Sequence, residues 1–268
     1  MEIFSYVFMQ HAFLAGILAS VVCGIMGSYI IVRQMTAVSG GISHATFGGV
    51  GLGYFLGFSP LAGAAAFAVG SALVIGVLKE YAQQKVDTLI GAVWAVGMAL
   101  GVLFVALTPG YVPDIESYLF GNILLVTNAD LLAAGLLAGV IVMVVALLYY
   151  PLMAATFDEE YATVMNLPVK LLNLILLILI ALAVVMLIQV VGIILAIALL
   201  TLPAAICRML TTRLSVMMAG AVLVGIVVCS LGIVFSYLWD VPSGAAITLV
   251  AAALYLGVLG CRRAVIRR

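Results

Sequence analysis

Charge is what this sequence has least of. Asp, Glu, Lys and Arg together make up 7% of the 268 residues, where soluble domains carry about 25%. Without a charged shell, a chain of this length cannot present itself to water. The ten basic and ten acidic residues cancel, so no overall field draws in nucleic acid or acidic ligands, and no basic stripe interleaved with aromatics is present. Nucleic acid is therefore not expected as a partner. Cysteine is equally uninformative: Cys23, Cys207, Cys229 and Cys261 are scattered with no CxxC pair, which reads as small packing residues and not as a disulfide framework or zinc site. The motifs of membrane-embedded and ATP-driven enzymes are missing too. There is no HExxH, no GxSG nucleophile and no Walker A loop, so the chain is not expected to be an enzyme. Any ATP hydrolysis linked to it would have to occur on another polypeptide. Residues Met1 to Gln10 lack a basic stretch and the apolar run that follows is long, so a cleavable signal is not expected.

What is abundant is apolar sequence. Hydrophobic residues account for 67% of the chain, arranged in runs near the length of about 20 residues needed to cross a bilayer. Breaking the sequence at charges, Pro and polar Gly clusters gives nine segments: 11–32, 40–57, 60–78, 89–108, 131–150, 171–188, 190–207, 215–238 and 244–260. Nothing alternates like a barrel strand, and in lipid a helix satisfies its own backbone. The expected fold class is an all-α polytopic membrane protein with eight to nine transmembrane helices in one permease domain spanning residues 1–268, and the bilayer as its solvent.

The basic residues orient it. With the N-terminus outside, nine crossings place 33–39, 79–88, 151–170, 208–214 and the tail from Cys261 in the cytoplasm. Those stretches contain Arg33, Lys79, Lys85, Lys170, Arg208, Arg213, Arg262, Arg263, Arg267 and Arg268, which is every Lys and Arg in the chain. The outer side keeps Glu2, Asp114, Glu116, Asp130 and Asp240. Positive residues collect on the cytoplasmic side of membrane proteins, so the expected topology is N-terminus out and C-terminus in.

Three stretches depart from plain spans. In SGGISHATFGGVGLGYFLG (39–57), Gly49, Gly53 and Gly57 recur every four residues and form a smooth stripe open to another helix backbone. The outer loop of about 109–130 has its own apolar patch, Tyr118 to Val126, too short to span and readable as an interfacial or re-entrant helix. The inner loop of about 151–170 contains Asp158 to Met165, with an acidic start and apolar Tyr161, Ala162, Val164 and Met165. That pattern suits a short amphipathic helix ended by Asn166 and Pro168.

His44 carries the most chemical information. It lies in an apolar segment with Ser39, Ser43 and Thr46 nearby, and ionisable groups at membrane depth are costly enough to point to function. Imidazole is also a common ligand of zinc and similar ions. A metal pathway through His44, Ser39 and Ser43 therefore stands beside the plainer reading of a histidine hydrogen-bonded between helices. His11, at a helix mouth, reads as interfacial. Asp114, Glu116 and Asp240 are candidates for an outer vestibule or gate. Solvated loop charge is the plainer reading for Glu116 and Asp130, and Asp240, in the tight loop WDVPSG, suits a structural or gating role better. Gln189 and Gly192 mark a kink that lines a path or, more simply, forms an outer turn.

Five stretches, in order, give the chain a resemblance to a known family: MTAVSGGISHATFGGVGLG (35–53), ESYLFGNILLVTNADL (116–131), FDEEYATVMNLPVKLLN (157–173), VGIILAIALLTLPAAICRML (191–210) and DVPSGAAITL (240–249). They resemble the permeases of zinc, manganese and iron ATP-binding-cassette importers. The resemblance covers essentially the whole chain. It implies a fold like the vitamin B12-type importer permeases with one helix fewer at the N-terminus, a permease homodimer, a cytoplasmic ATP-binding subunit and an extracytoplasmic metal-binding protein. It implies a divalent metal, zinc or manganese and possibly iron, as cargo with no permanently bound cofactor, and a place in the plasma (inner) membrane. The loop from Asp158 to Pro168 would be the helix that docks on the ATPase, through Asp158, Tyr161, Val164 and Met165, and His44 matches the family's intramembrane histidine. Many members carry an Asp four residues before that histidine; here Gly40 stands there, and Asn122 stands where an Asp often follows Phe-Gly. Both changes imply a more neutral site. The rival classes are a secondary transporter or channel needing no ATPase, which calls for carboxylates in mid-span, and a membrane scaffold, for which His44 would be dispensable.

Overall fold

The computed structural model describes residues 6–81, 86–109, 121 and 123–266. Among them there is no strand. The helices are α1 (Val7–Val32), α2 (Thr36–Leu56), α3 (Pro60–Tyr81), α4 (Val86–Leu107), α5 (Asn128–Leu147), α6 (Tyr149–Phe157), α7 (Glu159–Val164), α8 (Val169–Val191), α9 (Ile193–Leu210), α10 (Leu214–Trp239) and α11 (Ser243–Ile266), with a 3-10 turn at Ile123–Leu125. Eight of the described helices are long and apolar enough to cross a membrane: α1, α3, α4, α5, α8, α9, α10 and α11. The remaining long helix, α2, has 21 residues but is diluted by Gly, Ser and His, and so falls short on hydropathy alone. Large apolar side chains such as Trp94, Val102, Leu136, Leu223 and Leu249 lie exposed along the spans. Lipid accepts such surfaces at no cost, whereas water does not. The chain is a multi-pass membrane protein.

Two compact units divide the chain. The first comprises Met1–Val32, Glu116–Val142 and Met186–Arg268. Its helix α1 packs against α9 and α10, and α11 packs against α9 and α10. Small residues bring these backbones together: a Cβ on Gly24 would strike the backbone of Val222, one on Gly27 the carbonyl of Leu200, and one on Gly232 the Ile247 Cα at 2.6 Å. Between lipid-soluble helices, such close approach supplies van der Waals contact that the hydrophobic effect cannot. The break between α8 and α9 falls on Gly192, at φ 81° and ψ 170°, a positive-φ conformation that glycine adopts without strain. Gly192 is thus the single-residue break between the two helices, at the kink read from the sequence.

The second unit comprises Arg33–Ile115 and Met143–Val185. Here α2 lies against both α3 and α4, and glycines explain why. The expected stripe is used on the α3 side, where a Cβ on Gly49 would overlap Gly63 and one on Gly53 would come within 2.7 Å of the Pro60 Cα. Gly57, at φ 74°, instead ends α2 as a left-handed cap, its N–H donating to Tyr54 O. A second stripe faces α4: a Cβ on Gly48 would come within 2.8 Å of the Gly97 carbonyl oxygen, and one on Gly51 within 2.6 Å of that of Gly101.

The segment around 151–170 holds more helix than its sequence suggests. Residues Tyr149–Phe157 form α6 because Pro151 sits in the first turn, where no amide partner is required. The short helix α7 starts from Asp158, whose Oδ1 accepts the Tyr161 N–H at 2.8 Å, a side-chain cap. It ends where Asn166 turns left-handed at φ 56° and the Leu167 N–H reaches back to Ala162 O. Of the apolar patch, Gly121 and Ile123 to Val126 are described; Ile123 and Val126 are buried, and the Ile123 N–H donates to Ser243 Oγ. The rest of that patch lies outside the described residues.

Candidate permeation and coupling sites

The polar residues of α2 meet the requirement that hydroxyls in an apolar medium find a partner. Ser39 Oγ donates to Thr36 O at 2.9 Å, Ser43 Oγ to Ser39 O at 2.8 Å, and Thr46 Oγ1 to Ser43 O at 2.6 Å. All three residues are fully buried. The two serines thus commit their protons to their own helix. His44 behaves differently. Its ring lies flat on Trp94 of α4, with centroids 4.3 Å apart and planes 3° apart, and its Nδ1 is buried without a hydrogen-bond partner. Trp94 itself is 44% exposed, so the stacked pair sits at the outer surface of its unit. The α2–α4 glycine contacts fix the register that brings the two rings together. Sequence gave no signal for Trp94, because a stacking partner fifty residues away leaves no trace in local pattern.

Four residues before His44, Gly40 is buried, yet a Cβ built on it meets nothing within 4 Å. The space for a side chain is present although the ligand is not. Among the described residues, no group of three or more His, Cys, Asp or Glu could hold a metal ion. His44 is the only His, Cys, Asp or Glu of α2, and a single imidazole holds a divalent ion loosely, because charged ligands supply most of the affinity.

Of the outer candidates, Asp114 and Glu116 lie outside the described residues. Asp240 is exposed and closes α10 in the left-handed conformation, φ 51° and ψ 45°, beside the Ser236 Oγ bond to Val241 O at 2.6 Å. Its present duty is ending a helix. Asp130 is more engaged than a solvated loop charge. Oδ2 accepts from Thr127 N and Oγ1 at 3.0 and 2.7 Å, and Oδ1 accepts from Gln189 Nε2 at 2.8 Å. The carboxylate therefore caps α5 and ties it to the end of α8, which the sequence reading did not anticipate. His11 Nδ1 lies 3.1 Å from Val126 O, in keeping with a residue at a helix mouth.

Helix α7 presents an apolar surface. Tyr161, Val164 and Met165 are 56%, 78% and 57% exposed, while Ala162 is fully buried. Asp158 stays with the cap. A second feature escaped the sequence reading, which used Arg33 only to orient the chain. The Arg33 guanidinium is pinned by Glu159, Ala155 O and Asn173, each at 2.7 Å. Burial pulls its pKa down and the Glu159 carboxylate opposes the shift; a guanidinium stays charged regardless. Beside it opens a cavity of about 750 Å³.

Comparison with known proteins follows from this architecture. A membrane protein of Synechocystis sp. is 46% identical over 258 residues, covering 96% of this chain and 92% of its own. The manganese transport system membrane protein MntC of Halalkalibacterium halodurans is 36% identical over 254 residues, 95% of this chain and 87% of that protein. Among solved structures, PsaBC from Streptococcus pneumoniae in complex with Fab matches with a TM-score of 0.86 and 31% identity, covering 96% of this chain and 92% of that one. The family model described as the ABC 3 transport family matches residues 5–262, and with that match running over nearly its whole length the chain belongs to the ABC 3 transport family.

Proposed function

We propose that this chain is the membrane permease of an ATP-binding-cassette importer that carries a divalent transition-metal ion, zinc or manganese, into the cytoplasm. The observation that carries the reading is the pairing of an intramembrane imidazole, His44, with an exposed apolar helix, α7, at the inner end of the same unit. Relatives named for manganese transport favour manganese as the first ion to test. His44, with Ser39 and Ser43 on the same helix, supplies the path; Asp114, Glu116 and Asp240 belong to the outer vestibule or gate. Because His44 and Trp94 lie at the surface of one chain, a second copy would complete the path, which is the reason for expecting a homodimer. Asp158, Tyr161, Val164 and Met165 dock on a separate cytoplasmic ATP-binding subunit, and an extracytoplasmic metal-binding protein delivers the ion. The chain sits in the plasma membrane, N-terminus outside.

A carrier working without an ATPase is the weaker reading. Ion-coupled carriers use carboxylates near the midplane, whereas Asp87 and Asp130 stand in the first turns of α4 and α5. The direct test is metal accumulation in cells deprived of the chain: manganese or zinc uptake at limiting supply should fall and return with the wild-type protein. Unchanged uptake of every divalent ion tried would refute the proposal.

A further inference from the structure

We infer that Arg33 is a positioning residue that couples the α7 segment to the base of α2, and thereby to His44; the inference rests on the permease reading above. One guanidinium meets three elements. Nη2 donates to Ala155 O at the end of α6 and to Glu159 Oε1 at the start of α7, both at 2.7 Å, while Nη1 donates to Asn173 Oδ1 in α8 at 2.7 Å. Asn173 Nδ2 closes the ring by donating to the same Glu159 oxygen at 3.1 Å. The Arg33 side chain is 10% exposed and that of Glu159 50%, so the anchor is buried and the handle faces out. A planar fork of donors is the group suited to hold several acceptors in one geometry.

What Arg33 adjoins gives the anchor its meaning. The next residue, Gln34, is left-handed at φ 57°, a conformation that costs a non-glycine residue energy and persists only where its surroundings impose it. Met35 then begins α2 with no side-chain cap. Apolar packing does not replace the polar link, because α7 has α6 as its packing partner. The cavity of about 750 Å³ is bordered by Gln34 and Met35 at the base of α2 and by Glu160 and Thr163 of α7. A push on α7 therefore reaches α2 through the guanidinium. Beyond this junction α2 is packed on α3 and α4 at its glycines, and His44 lies about 12 Å along it from Thr36 at about 1.5 Å per residue.

The test uses the full permease with its cognate ATPase and binding protein in vesicles, measuring manganese(II) ions imported per ATP hydrolysed. Arg33→Ala should retain ATP hydrolysis and lower that ratio at least tenfold. Glu159→Gln, which removes the charge but keeps the shape of a half-exposed side chain, should lower it severalfold. The exchange Arg33→Glu with Glu159→Arg should recover part of what Arg33→Glu alone loses. A merely structural role would reduce uptake and hydrolysis together, in step with the amount of assembled permease, and leave the ratio unchanged; that result, or a wild-type ratio in Glu159→Gln, overturns the inference. Absence of ATP-dependent uptake by the wild-type vesicles would instead refute the permease reading itself.

Discussion

An imidazole at membrane depth has to be satisfied by something, and His44 has the face of Trp94 on one side and an unpaired Nδ1 on the other. If that nitrogen chemistry serves passing metal, His44→Ala should cut uptake at limiting manganese on the order of tenfold, equivalent to about 1.4 kcal/mol, with normal membrane insertion. Equal uptake would make His44 a packing residue. Gly40 offers the opposite change. Because a Cβ there meets open space, Gly40→Asp should fold normally and set a carboxylate one turn from the imidazole, on the same face. Uptake kinetics should then show a lower KM together with a lower maximal rate, as tighter holding slows release; an unchanged KM would place position 40 off the path. Sequence located His44 because a lone ionisable group in an apolar run stands out. Trp94 and Arg33 were not legible as site residues, since their roles depend on contacts fifty and more than a hundred residues away.

At the scale of elements, α2 is held by glycine contacts and α7 by a cap, and each has its own failure mode. Gly49 is packed into Gly63 of α3, whereas Gly40 is unencumbered. Gly49→Ala should therefore lower the melting temperature of the purified protein, at a cost of about 1–3 kcal/mol for forcing two packed helices apart, while Gly40→Ala leaves it nearly unchanged. Equal melting of the two variants would remove close backbone packing as the reason for the stripe. The exposed face of α7 is a docking surface of a few hundred Å² at most, worth about 25 cal/mol per Å² before association costs, so one charge can break it. Tyr161→Asp or Met165→Asp should leave permease abundance intact and weaken its co-purification with the ATPase; undiminished co-purification of both would place docking elsewhere. The span boundaries were readable to within a few residues because hydropathy is local. Helix α6 was not, since Pro151 in a first turn reads as a breaker.

For the molecule as a whole, the ordering of charge is the strongest constraint. Nine crossings with the N-terminus outside would put all ten Lys and Arg inside, and removing one span would export basic residues, which is the reason for expecting that topology. In a Cys261→Ser background, an impermeant thiol reagent should label Asn128→Cys from outside in intact cells and miss Glu160→Cys; strong labelling at 160 would invert the topology and move α7 away from any cytoplasmic ATPase. Fold class was legible because composition, run length and charge all point the same way, whereas the His44–Trp94 stack was only half legible, because two helices must pack before the rings meet. The measurement that bears most directly on the central claim is manganese uptake by sealed vesicles containing the permease, with and without the cognate ATPase and ATP. The account predicts uptake only when both are present. Uptake at the same rate by the permease alone would contradict it.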